Sequence, residues 1–120
     1  MSKYVKHACL AAALAVTGPG LAFADDDIDS MIASAVEQVN QKYAEQKVDI
    51  KKLFSAKCSW CHQGYGMKQA DGPKLGGTAK THEQVVKQIT NGKSPMPGFK
   101  SQLKDYEIQA LADYIKALPK

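Results

Sequence analysis

The sequence contains no arginine. All 16 of its basic residues are lysine, set against 12 acidic ones for a formal net charge of +4. It therefore lacks the guanidinium forks that read base edges and clamp phosphates in pairs. A charge this small and unclustered gives no nucleic-acid footprint. Aromatic residues are scarce, at 8% of the chain with a single Trp. No apolar run reaches the roughly 20 residues that a membrane-spanning helix needs. There is no alternating strand pattern, no internal repeat and no low-complexity tract. Paired acids, a Ser/His/Asp set and a phosphate loop are also missing, which removes the common hydrolase and nucleotide-dependent classes. What is present suits one small globular domain: 120 residues, 44% hydrophobic and 23% charged, near the usual composition of folded domains.

The first 24 residues read as a leader. Lys3 and Lys6 give a positive start, an apolar stretch runs from Ala8 through Val16 to Leu21, and Ala22-Phe23-Ala24 precedes Asp25-Asp26-Asp27. Charge, short apolar core and an A-x-A site describe a secretory signal peptide. Gly18-Pro19-Gly20 breaks the stretch, which speaks against a retained anchor. Cys9 leaves with the leader. The mature chain is expected to run from Asp25 to Lys120 as an exported, monomeric protein without membrane insertion.

Charge then divides the mature chain. Residues 25–49 hold seven acids and two lysines, a net of −5, and residues 50–120 hold twelve lysines and five acids, a net of +7. In the first segment Ile28, Met31, Ile32, Ala35, Val36, Val39 and Tyr43 recur at helical spacing. They predict an acidic amphipathic helix over 28–46, with Met31 on its packing stripe. A second helix is expected from Asp49, whose carboxylate can cap it. The stretch 63–81 is rich in glycine and reads as irregular. A third helix is expected over His82 to Thr90, stopped by Asn91-Gly92, and a last one from Asp105 to Leu118.

One motif carries chemistry. Cys58-Ser59-Trp60-Cys61-His62 is C-x-x-C-H, the pattern of c-type haem attachment. Two thiols three residues apart lie on one side of a helix end, where they can form thioethers to two vinyl groups of one porphyrin. The adjacent His is then held under the ring. C-x-x-C also serves zinc and thiol redox sites. Zinc wants four ligands, and only His82 could supplement these three residues. A redox dithiol wants a βαβ setting. A structural disulfide is the remaining alternative. For the sixth position of a haem iron the mature chain offers Met31, Met67 and Met96. Met96 stands between Pro95 and Pro97, 34 residues after His62, in a stretch that cannot be helical. Met67 is too near His62 to reach the far side of a ring. His82 is the rival ligand.

The C-x-x-C-H pentapeptide, Gly72-Pro73-x-Leu75-x-Gly77, Asn91-Gly92…Met96-Pro97-x-Phe99 and the closing Glu107-Ile108…Leu111-Ala112-x-Tyr114-Ile115 stretch together resemble a class I cytochrome c. The resemblance covers about residues 48–118. It implies an all-α fold around one covalent haem c, with Cys58 and Cys61 as thioether anchors, His62 as proximal ligand and Met96 as distal ligand. It implies that the Pro73 carbonyl accepts a hydrogen bond from the His62 ring, and that Leu53 and Phe54 of the first haem-domain helix cross Leu111 and Tyr114 of the last. The sequence departs from the family in three ways. Gln63 follows the His where many relatives have Gly. Lys104 stands at the usual Ser/Thr cap of the last helix, leaving Asp105 as the expected substitute. With no arginine for the haem propionates, Trp60, Tyr65, Asn91 or a lysine would line the haem environment.

These readings divide the chain into a leader (1–24), an acidic helical extension (25–47) and a haem domain (48–120). The expected function is a periplasmic one-electron carrier, not an enzyme, cycling Fe(II)/Fe(III) with His/Met ligation. Expected partners are redox proteins: an exported dehydrogenase, such as a quinoprotein alcohol dehydrogenase, and a terminal oxidase or reductase of a respiratory chain. Two alternatives stand beside it. One is a haem sensor or peroxidase with a labile distal ligand. The other is a dedicated electron-accepting subunit docked through the acidic helix.

Overall fold

The structure, a computed structural model, describes residues 25–120; the leader expected over 1–24 lies outside the described residues. Four helices follow one another: α1 (Asp25–Lys42), α2 (Ile50–Lys57), α3 (His82–Asn91) and α4 (Asp105–Ala117), with a single 3₁₀ turn at Gly64–Gly66. Among the described residues there is no strand, and no helix is long and apolar enough to cross a membrane.

Helix α4 is the centre. It touches α1, α2 and α3, and Ile108, Leu111, Ala112 and Tyr114 are each at most 3% exposed. Phe54 of α2 meets Tyr114 edge-on, with ring centroids 5.3 Å apart, the geometry that aromatic quadrupoles favour. This is the helix crossing that the resemblance implied.

Local chemistry sets the helix ends. Asp49 caps α2 by accepting from the Lys52 amide at 3.1 Å. Thr81 and Gln84 form a reciprocal capping box on α3, with bonds of 3.2 and 2.9 Å. At α4 the expectation for Asp105 is corrected. Glu107 Oε2 reaches back to accept from the Lys104 amide at 2.8 Å, because a carboxylate three residues in can close half of a capping box without help from the cap side chain.

Helix α1 differs from its expected span of 28–46 at both ends. It starts at Asp25 and ends at Lys42, and residues 43–47 form turns closed by Lys47 at φ 55°. The chain must reverse before α2, and Asn40 helps it by accepting from the Ile50 amide at 2.9 Å. Ile32, Ala35 and Val39 are buried, but Met31 is 45% exposed and lies off the packing stripe.

Helix α1 is also fastened to α4 by charge. Asp113 Oδ2 accepts from Lys42 Nζ and from Tyr43 OH, both at 2.7 Å. His82 Nε2 of α3 lies 2.9 Å from Asp113 Oδ1; it is at ion-pairing distance without hydrogen-bond alignment. Burial alone would raise the Asp113 carboxyl, but the bonds from Lys42 and Tyr43, with the attraction of Lys42 and His82, hold it below its ordinary range. Burial and the same bond push Tyr43 up to about 12. The extension therefore packs as a fourth helix on the body of the fold.

Candidate functional site

At the C-terminus of α2 the helix passes directly into the C-x-x-C-H turn. The Cys58 amide still bonds to Phe54 O at 2.8 Å, and the Cys61 and His62 amides both turn back to Cys58 O, at 3.2 and 2.9 Å. This places both cysteines and the histidine on one side of the helix end. His62 is buried at 7% exposure. Its Nδ1 lies 2.8 Å from the carbonyl oxygen of Pro73. A ring nitrogen that donates to a carbonyl leaves Nε2 as the free lone pair, the tautomer a metal ligand needs.

Gly72 makes that bond possible. A Cβ at this position would stand 2.4 Å from His62 Cε1 and 2.8 Å from Nδ1. The Gly72 amide is itself tied to Cys61 O at 2.8 Å, so backbone and ring lock together.

Met96 is positioned from the other end. The Lys93 and Met96 backbones exchange two hydrogen bonds, of 3.0 and 2.8 Å. The amides of Phe99 and Lys100 then bond to Ile89 O and Thr90 O of α3, at 2.9 and 3.2 Å. Gly98 lets the loop lie this close, since a Cβ there would meet Asn91 O at 2.7 Å. Gln88 Nε2 sits 3.8 Å from Met96 Sδ, within reach of a weak N–H···S bond.

These pieces enclose one cleft of about 840 Å³. Cys58, Cys61, His62, Pro73 and Met96 all line it, with Leu75, Val85, Ile89, Phe99 and Ile115 as apolar walls. Its volume lies in the range of cofactor sites. Cys58 and Cys61 are not joined in a disulfide. Burial, with the charge of Cys61 adding to it, pushes the Cys58 thiol up to about 12. Among the described residues no group of three or more His, Cys, Asp or Glu is placed to hold a metal ion. Two thiols, one imidazole with a free Nε2, a thioether and an apolar cleft fit a covalently bound haem.

The other sequence candidates fall elsewhere. Trp60 is 85% exposed outside the cleft. Tyr65 faces Phe54 at 6.4 Å, and its carbonyl accepts from Tyr114 OH at 2.9 Å; it stands at φ 53° in the turn after Gln63. Asn91 lines a shallow depression of about 540 Å³ beside α3 and α4 that holds neither cysteine nor methionine. Trp60, Tyr65 and Asn91, expected in the haem environment, are not among the residues that line the cleft. His82 pairs with Asp113 and also stays outside the cleft. Met67 packs against Gly76. The lysines that do line the cleft are Lys74, Lys80 and Lys93. Gln88 was missed in the sequence, where only its place eight residues before Met96 marks it.

The model of the family described as cytochrome c oxidase, cbb3-type, subunit III matches residues 45–115. A cytochrome c6 of Nostoc sp. is 38% identical over 80 residues, covering 60% of this chain and 70% of the relative. The chain belongs to the class I cytochrome c family. A cytochrome c6 of Leptolyngbya boryana is 42% identical over 71 residues, covering 53% of this chain and 82% of its own. The crystal structure of cytochrome c6 from the diatom Phaeodactylum tricornutum shares 30% identity at a TM-score of 0.48, over 55% of this chain and 85% of its own. The cytochrome c6 relatives carry one covalent haem c and serve as electron carriers rather than enzymes. The family match begins at residue 45, so all of α1 lies outside it.

Proposed function

We propose that this class I cytochrome c is an exported one-electron carrier with its haem attached to Cys58 and Cys61 and ligated by His62 and Met96. The observation that carries this reading is the meeting of all four side chains in one apolar cleft. When bound, the haem supplies a one-electron Fe(II)/Fe(III) couple. The chain supplies the rest. Pro73 O fixes the His62 ring and leaves Nε2 to bind. The bonded loop 93–96 holds the Met96 thioether, a ligand that raises the potential and fills the site against oxygen chemistry. Leu75, Val85, Ile89, Phe99 and Ile115 exclude water, which favours the less charged ferrous state. Lys74, Lys80 and Lys93 at the cleft suit weak, electrostatically steered encounters with acidic partner surfaces.

Export across the inner membrane to the periplasm is supported by the leader pattern of residues 1–24, with the mature protein comprising the extension 25–47 and the haem domain 48–120. Its partners in this reading are an exported dehydrogenase as donor and a terminal oxidase or reductase as acceptor. The test is a haem stain and redox titration of wild type and Met96→Ala. A reversible one-electron couple whose potential falls in Met96→Ala supports the carrier. Wild-type ferric protein that shows no thioether absorption and binds carbon monoxide readily replaces it with an open-iron haem protein.

A further inference from the structure

One wall of the cleft is the stretch between Gly72 and α3, where Lys74, Leu75, Thr78 and Lys80 line it. This wall is fixed unevenly. Leu75 N and Gly76 N both bond to Gly66 O, at 2.7 and 3.1 Å. Gly76 and Gly77 lie close against Pro119 and Lys120. Beyond Gly77, which turns the chain at φ 74°, the backbone has little to hold it. None of residues 77–80 is buried. Their other bonds are local: Thr78 N to Leu75 O at 3.1 Å and Lys80 N to Thr78 Oγ1 at 3.3 Å.

Among the described residues one side chain bonds this segment to a helix. Lys116, in the last turn of α4, donates from Nζ to Lys80 O at 2.7 Å and more weakly to Thr78 O at 3.4 Å. An ammonium carries three donors and can serve both carbonyls. Lys116 does not line the cleft itself. Its platform is firm, because Ile115 and Leu118 beside it are each 5% exposed. One turn earlier on α4, Asp113 faces His82 at the start of α3. The same edge of α4 thus grips the chain on both sides of Thr81, the cap of α3.

We propose that Lys116 is a positioning residue that holds the Thr78–Lys80 rim of the haem cleft closed from outside, and so keeps water and small ligands from the iron. This rests on the haem reading above. An exposed lysine bonded to another side chain would restrain little of the backbone. Here both acceptors are main-chain carbonyls, two residues apart in the one part of the wall that nothing else fixes. Without the ammonium those carbonyls turn to water, and the segment is free to swing about Gly77 and uncover the cleft beside Leu75.

The test uses the ferric holoprotein as wild type, Lys116→Met, Lys116→Arg and Ile32→Ala. The probe is imidazole at pH about 8, where it is mostly neutral, so that a lost charge does not alter its approach. Lys116→Met keeps an apolar stem and removes the donor. Imidazole is expected to bind it about fivefold faster, the worth of one ordinary hydrogen bond. Amide hydrogen exchange at Thr78 and Lys80 should rise by a similar factor. Lys116→Arg, which keeps the charge and N–H donors, should stay within twofold of wild type. Ile32 is buried on α1 and does not line the cleft; Ile32→Ala lowers the melting temperature and should leave imidazole binding within twofold. Imidazole binding to Lys116→Met within twofold of wild type overturns the proposal, whatever the melting temperature or the exchange. So does an Ile32→Ala protein as open as Lys116→Met, which would make the effect one of global stability. Failure of the haem reading would show separately, as wild-type ferric protein that lacks thioether absorption and binds carbon monoxide readily.

Discussion

His62 Nδ1 and the carbonyl oxygen of Pro73 stand 2.8 Å apart, and the glycine just before that proline lets them meet. A methyl group on residue 72 would occupy the space of the imidazole. Gly72→Ala is therefore expected to push the ring off the Pro73 carbonyl and to cost about 1–3 kcal/mol through overpacking. Thermal unfolding gives the cost. The visible spectrum of the holoprotein gives the displaced ligand, as a shift toward high spin. A variant with wild-type spectrum and melting temperature would show that the ring has room to give.

Two changes around the distal side should separate ligation from tuning. Met96→Ala removes the thioether and is expected to lower the reduction potential by on the order of 100 mV or more, with carbon monoxide binding gained. Gln88→Leu removes only the 3.8 Å contact to the sulfur. One such bond is worth about 1 kcal/mol, so the shift should not exceed about 40 mV, and the thioether absorption should persist. Redox titration with spectra of the ferric forms checks both.

The Asp113 hub makes a pH-dependent contribution with a defined window. The carboxyl is held below its ordinary range, so its stabilisation is present above the unfolded value near 3.9 and is lost as pH falls through the lower folded value. Tyr43 is raised to about 12, so its contribution is present below the unfolded value near 10 and lost as pH rises through the folded one. Asp113→Asn is expected to cost about 1–2 kcal/mol between those limits, the lower part of the range for bonds to a charged group, because Lys42 is well exposed to solvent screening. Melting temperatures of both forms from pH 3 to 11 should converge at the acid end.

Helix α1 should matter for stability and not for the haem. Ile32 is 7% exposed on its inner face, and Ile32→Ala is expected to cost about 2 kcal/mol. Asp113, which holds α1, and Ile115, which lines the cleft, lie two residues apart on α4, about 200° around the helix. The two sites are back to back, so the haem spectrum and potential of Ile32→Ala should match wild type. Calorimetry and redox titration check the two halves.

Much of the site was legible because it is local. The C-x-x-C-H spacing, the proline bracket around Met96 and the helix ends at Asp49 and Gly92 act over a few residues, and a few residues of sequence report them. Helix α4 was read from its apolar face alone, although it turned out to be buried on nearly every side. Met31 shared a period with Ile32, Ala35 and Val39 but not their face, since a stripe in sequence is wider than the surface available to cover it. Trp60, Tyr65 and Asn91 were expected in the haem environment because the sequence has no arginine for the propionates. Adjacent residues on a turn or helix point in different directions, and these three do not line the cleft.

The sequence by itself determined the chemistry of this protein: two thiols and an imidazole at a fixed spacing, a thioether in a stiff loop, and helices to carry them. Only the tertiary structure decided what the acidic extension does. Its lock joins Lys42 and Tyr43 to Asp113, about 70 residues further along, and to His82 between them. No local pattern announces a contact across that separation. It exists because α4 packs against three helices at once, and burial at that junction makes a single carboxylate worth pairing with all of them.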